Sequence, residues 1–155
     1  MRLRTYNEVT GEDRSGLGSQ IAAQHARVEA RLSGVGHVVA VMSGKGGVGK
    51  SFVTAGLAAA VARTGRGAGI LDADLHGPTA ARMVGAAGGR LAVGDDGVSP
   101  AIAPGGVRVM SSDLLLPEGA PLRWREPGRF RHAWRGTLES GMLREFLADV
   151  RWGEL

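Results

Sequence analysis

The 155-residue sequence contains no cysteine, only two lysines and no long hydrophobic run. Without a thiol, the chain by itself cannot form disulfides, perform thiol chemistry, or hold zinc or an iron–sulfur cluster through thiolates. No stretch approaches the roughly 20 apolar residues of a membrane span, and residues 1–15 lack the apolar core of a signal peptide. We therefore expect a cytoplasmic protein with no membrane span.

The composition is that of a globular protein, with 43% hydrophobic and 22% charged residues. The length suits a single α/β domain. The net charge of +4 comes from basic residues spread along the chain, which indicates a solvated surface more than a nucleic-acid partner.

The first half of the sequence alternates between helical and strand patterns. Helical spacing of apolar residues over 19–32 predicts an amphipathic helix, with His25 partly buried on its packing face. The run HVVAVM at 37–42 predicts a strand buried on both faces of a parallel sheet. An Ala-rich helix over 52–63 and a second strand over 68–71 would complete a parallel β-α-β unit with it.

The second half predicts shorter elements. Pro78 suits the first turn of a helix, and residues 91–102 predict a hairpin around the turn Asp95-Asp96-Gly97. A further strand is predicted over 107–110, a proline-rich loop over 117–129, and a final amphipathic helix over 138–150.

A glycine-rich loop lies between the first predicted strand and the helix that follows it. Its sequence fits G-x-x-x-x-G-K-[ST] at every position and reads Gly44-Lys45-Gly46-Gly47-Val48-Gly49-Lys50-Ser51. Glycines let backbone N–H groups converge on phosphate oxygens, and the helix adds its positive end. Lys50 would neutralise the β and γ phosphates of ATP, and the Ser51 hydroxyl would ligate Mg²⁺.

Both lysines of the chain, Lys45 and Lys50, lie in this loop, although the chain has nineteen basic residues. With Lys45 at its start, the loop resembles the deviant Walker A group of P-loop ATPases, which includes MinD, ParA, the nitrogenase iron protein and the Mrp/ApbC iron–sulfur carriers. The resemblance implies a dimer in which Lys45 reaches the nucleotide of the partner subunit.

The segment after the second predicted strand resembles one branch of that group. It reads Asp72-Ala73-Asp74-Leu75-His76-Gly77-Pro78-Thr79 and is similar to the D-A-D-x-x-G-P-S segment of the Mrp/ApbC proteins. The resemblance implies that Asp74 activates water and that Asp72 belongs to the Mg²⁺ shell. The alternative for both is a structural role in capping the following loop. His76, where the branch usually has an aromatic residue, is given no catalytic role.

Two weaker matches extend the resemblance over residues 36–155. Residues 124–127 (WREP) are similar to the W-R-G-P of the branch, and residues 150–155 (VRWGEL) to its V-x-W-G-x-L. The basic and aromatic cluster over 123–135 lies where the family implies a surface for a dimer or a client protein. Nucleic acid is the less favoured partner for it.

The resemblance implies an α/β P-loop NTPase with a mostly parallel sheet flanked by helices. We expect a tail and helix over 1–33 and the N-terminal portion of the ATPase domain over 34–155. In the Mrp/ApbC branch the next segment is the Walker B strand, and a C-x-x-C follows later. We therefore expect residues 1–155 alone to bind ATP weakly, without turnover, and to hold no cluster.

Three functions remain open from the sequence. The favoured hypothesis is a dimeric Mrp/ApbC-type ATPase that assembles or transfers iron–sulfur clusters to client proteins. A ParA/MinD-like positioning ATPase shares the two-lysine loop but not the D-A-D-x-x-G-P segment. The third hypothesis is a fragment that binds nucleotide without hydrolysing it.

Overall fold

The computed structural model describes residues 16–115 and 131–155. The predicted tail over 1–15 and the predicted loop over 117–129 lie outside these ranges, as does the WREP segment. Within them, no helix is both long and apolar enough to cross a membrane.

The described part of the chain contains four α-helices and five short strands. The helices are α1 (Leu17–Leu32), α2 (Lys50–Arg63), α3 (Ala80–Met83) and α4 (Arg131–Asp149). The strands are β1 (Gly69–Leu71), β2 (Ala92–Gly94), β3 (Gly97–Ser99), β4 (Ala101–Ile102) and β5 (Arg108–Met110). These elements confirm the predicted α/β class. Pro78 precedes α3 instead of lying in its first turn, and α4 begins seven positions before the predicted start at residue 138.

Strand β5 lies at the centre of a three-stranded sheet in the order β1-β5-β4. It runs parallel to β1 and antiparallel to β4. Strands β2 and β3 form the predicted antiparallel hairpin around Asp95 and Asp96. The predicted second arm of this hairpin is divided at Pro100: Ser99 ends β3, and Ala101 begins a strand of the other sheet. Proline has no backbone N–H to give to either ladder.

The prediction of a buried strand over residues 37–42 is wrong. The segment has no regular secondary structure, and Val38, Val39 and Met42 are 73, 68 and 84% exposed. A strand is held by the backbone of a neighbouring strand. Within the described residues β1, its expected parallel neighbour, pairs only with β5. The apolar run therefore lacks the partner that would bury it.

Two apolar clusters pack on opposite faces of the three-stranded sheet. On one face Ile70 and Val109, 2% and 0% exposed, pack against alanines of α2 and α3. On the other face Met110 packs with Phe146 and Trp152 from the C-terminal region. Because successive strand residues point to opposite faces, the neighbours Val109 and Met110 join the two clusters.

Helix α1 packs along α4, and polar side chains form hydrogen bonds between the two helices. Gln24 Nε2 donates to Glu145 Oε1 at 2.6 Å, and Arg27 Nη2 lies 3.3 Å from Glu145 Oε2. His25 is exposed, so its predicted partial burial is wrong. Helix α4 contacts the face of α1 that carries Gln24 and Arg27. His25 lies beside that face and is exposed to solvent.

Candidate functional site

The loop that precedes α2 is open on the side of its glycines. Gly47 and Gly49 have φ angles of +72° and +92°, the left-handed region that favours glycine. A Cβ atom built on Gly44, Gly46, Gly47 or Gly49 would have no neighbouring atom within 4 Å. The loop therefore leaves room for a ligand to approach its backbone closely.

The first turn of α2 offers unpaired hydrogen-bond donors. Gly49 is the N-cap, has no side chain, and accepts its helical bond from Val53 N–H at 2.9 Å. The N–H groups of Lys50, Ser51 and Phe52 precede that bond and have no partner within the described residues. No acidic side chain lies in this turn. Such a helix start attracts an anion.

The two lysine side chains of the sequence lie on the same loop. Lys50 Nζ donates to the Lys45 carbonyl oxygen at 3.4 Å, and Lys45 N–H donates to Ser43 Oγ at 3.2 Å. Lys45 is exposed and Lys50 is half-buried. Neither forms an ion pair with the described acidic residues. Both charges are therefore available to a ligand.

The Asp72 carboxylate organises the chain that follows β1. It is 7% exposed, and its Oδ1 accepts the Asp74 N–H at 3.1 Å. Its Oδ2 accepts the N–H groups of Thr79 and Ala80, both at 2.9 Å, and so caps the start of α3. The sequence left open a structural role in which Asp72 caps the following loop. The hydrogen bonds of Asp72 are those of such a cap. Oδ1 retains a lone pair, because it accepts only one of these bonds.

Asp74 differs from Asp72 in exposure and in bonding. It is exposed, and its Oδ1 accepts the N–H groups of His76 and Gly77 at 3.2 and 3.0 Å. Its Oδ2 has no hydrogen bond in the described part of the chain. The loop therefore fixes one oxygen of Asp74 and leaves the other for solvent or a ligand.

The structure does not connect the glycine-rich loop, residues 44–51, with the loop after β1 that carries Asp72 and Asp74. In the described ranges, no hydrogen bond or ion pair joins residues 44–51 to Asp72 or Asp74. Ser51, the second residue of α2, is half-buried, and its Oγ has no bond to a described residue. No group of three acidic, histidine or cysteine side chains within the described residues could hold a metal ion on its own.

Residues near Asp72 and Asp74 were missed by the sequence analysis. Ser111 and Ser112 are 0% and 1% exposed and follow β5, whose Met110 oxygen accepts the Asp72 N–H at 2.9 Å. Strands β1 and β5 are parallel, so their carboxyl ends lie at the same edge of the sheet. Residues that follow the two strands are therefore expected to be neighbours, and this expectation would have indicated both serines. His76 Nε2 lies 2.8 Å from Glu139 Oε1 and so connects the loop to α4. No sequence signal indicates that contact.

The chain is similar to a known family and to named relatives. A family model described as ParA, the NUBPL iron-transfer P-loop NTPases, matches residues 34–155. An iron-sulfur cluster carrier protein of Saccharolobus solfataricus is 40% identical over 90% of this chain and 44% of its own length. A cytosolic Fe-S cluster assembly factor CFD1 of Chaetomium globosum is 42% identical over 80% of this chain and 41% of its own length. The chain spans less than half the length of both relatives.

A solved structure has the same fold. A nucleotide-binding protein from Archaeoglobus fulgidus in complex with ADP is 41% identical and superposes with a TM-score of 0.66. The match covers 84% of this chain and 45% of that protein. The predicted P-loop NTPase fold is thereby confirmed.

We predict that Asp72→Ala destabilises the protein in the absence of nucleotide and Mg²⁺. Three backbone N–H groups lose their acceptor, two of them at the start of α3, so the free energy of unfolding should fall by about 2–3 kcal/mol. Urea denaturation followed by circular dichroism measures this change. Glu29→Ala, on the exposed surface of α1, is the control and should change stability by less than about 0.5 kcal/mol. Equal stability of the two variants would show that the Asp72 bonds do not hold the loop.

Proposed function

Because this chain belongs to the family of ParA/NUBPL iron-transfer P-loop NTPases, we propose that it binds ATP with Mg²⁺ and supplies the phosphate-binding loop of an ATPase that carries iron–sulfur clusters. The observation that carries the proposal is the start of α2, where unpaired N–H groups follow a glycine loop that is open to a ligand. The ADP complex of the Archaeoglobus fulgidus protein supports a nucleotide as the ligand.

The phosphates are held by backbone and side-chain donors together. The N–H groups of Lys50, Ser51 and Phe52 donate to phosphate oxygens, and the positive end of α2 favours their negative charge. Lys50 exchanges its 3.4 Å bond to the Lys45 oxygen for a phosphate oxygen. This exchange replaces a long bond to a neutral acceptor with a charge-assisted one.

Ser51 and Asp72 fit the requirements of Mg²⁺, which prefers oxygen ligands and keeps several of its waters. The Ser51 hydroxyl has no protein partner among the described residues and would hold the ion directly. Asp72 Oδ1, with its remaining lone pair, would accept a hydrogen bond from a metal-bound water. When bound, the ion supplies charge neutralisation at the phosphates.

Asp74 and Lys45 complete the proposed ATPase site. Asp74 orients the attacking water through Oδ2, while the bonds from His76 and Gly77 hold Oδ1 in place. Lys45 is exposed and without an ion pair in the described part of the chain, which suits a cation that contacts the nucleotide of a second subunit. The proposal therefore includes a homodimer.

The cargo of the proposed ATPase is an iron–sulfur cluster destined for client proteins. The relatives named iron-sulfur cluster carrier and Fe-S cluster assembly factor support this cargo, and the cytosolic factor supports a cytoplasmic location. Residues 1–155 contain no cysteine, so the cluster ligands are supplied from outside them. The role of this chain is to bind the nucleotide that drives transfer.

We predict that Lys50→Ala lowers the affinity of residues 1–155 for Mg-ATP by about 100-fold or more, because a charge-assisted bond to the phosphates is lost. Lys45→Ala is the matched control: it removes the other ammonium of the same loop and should change the affinity by less than about threefold. Isothermal calorimetry or fluorescence with a labelled ATP measures both. Equal losses in the two variants would contradict the separate roles of the lysines, and unchanged binding in Lys50→Ala would contradict the proposed site.

We predict that Asp74→Asn lowers the ATP turnover of an active ATPase containing this chain by about 100-fold, because the amide cannot accept the proton of the attacking water. Affinity for Mg-ATP should stay within about threefold of the parent. Asp95→Asn in the exposed hairpin turn is the control for loss of one surface carboxylate. Phosphate release measures turnover. A normal rate in Asp74→Asn would show that another group orients the attacking water.

A further inference from the structure

The direction of the Asp74 carboxylate is set by two backbone groups of its own loop. Asp74 is exposed, and its Oδ1 accepts the N–H groups of His76 and Gly77 at 3.2 and 3.0 Å. A side chain that is free to rotate keeps one direction only while its partners stay in place. The direction of Oδ2 therefore depends on the position of the backbone at residues 76 and 77.

The side chain of His76 connects this backbone to α4. Its ring Nε2 lies 2.8 Å from Glu139 Oε1. An ionised carboxylate can only accept a hydrogen bond, so Nε2 carries the proton of this contact. The His76 and Glu139 side chains are 49% and 29% exposed. A pair this exposed adds little to the stability of the whole chain, so its effect is on the loop that it holds.

An apolar contact holds the same loop against the same helix. Leu75, the residue before His76, is 4% exposed and belongs to the apolar cluster that contains Phe146 of α4. Glu139 and Phe146 are seven positions apart, which is two turns of helix, so they lie on one face of α4. That face therefore supports the loop at two neighbouring residues, one through packing and one through a hydrogen bond.

We propose that Glu139 and His76 are positioning residues for Asp74 in ATP hydrolysis. Glu139 holds the His76 ring, and the ring fixes the backbone whose N–H groups direct Asp74. Glu139 thus acts through Asp74 and not on the nucleotide itself. The inference rests on the proposed function, in which Asp74 Oδ2 orients the attacking water.

The first test measures the loop in the 155-residue chain without nucleotide. Glu139→Ala removes the acceptor of the His76 ring, so the amide hydrogens of His76 and Gly77 should exchange with solvent about threefold faster, as measured by NMR. Glu139→Gln keeps an oxygen acceptor and should exchange at the parent's rate. Ser140→Ala, at the exposed neighbouring position of α4, is the control and should also match the parent.

Urea denaturation of the same variants separates a local role from a global one. All of them should unfold at the parent's midpoint, because the contact is largely exposed. Unchanged exchange at His76 and Gly77 in Glu139→Ala would overturn the proposal. A lower midpoint with faster exchange throughout the chain would also overturn it, because Glu139 would then hold the whole fold and not this loop.

The second test measures turnover in an active ATPase that contains this chain. Glu139→Ala should lower kcat about fivefold and leave KM for Mg-ATP within about twofold, since the contacts of the nucleotide stay intact. Glu139→Gln should restore most of the loss. In combination with Asp74→Asn, Glu139→Ala should lower kcat no further, because the carboxylate that it positions is already gone.

The outcomes distinguish this inference from the proposed function. If Asp74→Asn lowers kcat and Glu139→Ala does not, the positioning role is wrong and the proposed function stands. The same holds if the two losses multiply in the double variant, because Glu139 would then act independently of Asp74. If Asp74→Asn itself turns over at the parent's rate, the proposed role of Asp74 is wrong and the positioning role is wrong with it.

Discussion

The start of α2 imposes the constraint on which the rest of the candidate site depends. Three N–H groups point out of the helix before its first internal bond, and the residue that would normally cap them is Gly49, which has no side chain to do so. Unpaired backbone donors at a helix end need an acceptor from water or from a ligand. The surrounding glycines keep the space beside them open, and both lysines of the chain add positive charge. These features together favour a phosphate.

The parallel pair of β1 and β5 sets the position of the second loop. Because both strands end at the same edge, Asp72 and Ser111 follow them as neighbours, and the Met110 oxygen holds the Asp72 backbone in place. From there the Asp72 carboxylate shapes the turn through Asp74 and caps α3. The buried Asp72 carboxylate thus holds the turn and caps α3, and under the proposed function it also accepts a hydrogen bond from a water on Mg²⁺. The backbone N–H groups and this water use different lone pairs of the carboxylate.

Features that depend on nearby residues could be predicted from the sequence. The glycine loop and the helix after it follow from local backbone freedom and propensity, and so does the hairpin around Asp95 and Asp96. Features that depend on distant contacts could not. The contact of His76 with Glu139 joins residues 63 positions apart, and the exposure of His25 depends on which face of α1 meets α4. The apolar run at 37–42 indicates a buried strand only where a neighbouring strand pairs with it.

We propose that the backbone at the start of α2 binds the phosphates of a nucleotide. A titration of the ¹⁵N-labelled chain with Mg-ADP, followed by amide chemical shifts, tests it most directly. We expect the largest shift changes on residues 45–52, smaller changes at Asp72, and none in the β2–β3 hairpin. Shift changes confined to other parts of the chain, or none at saturating Mg-ADP, would contradict it.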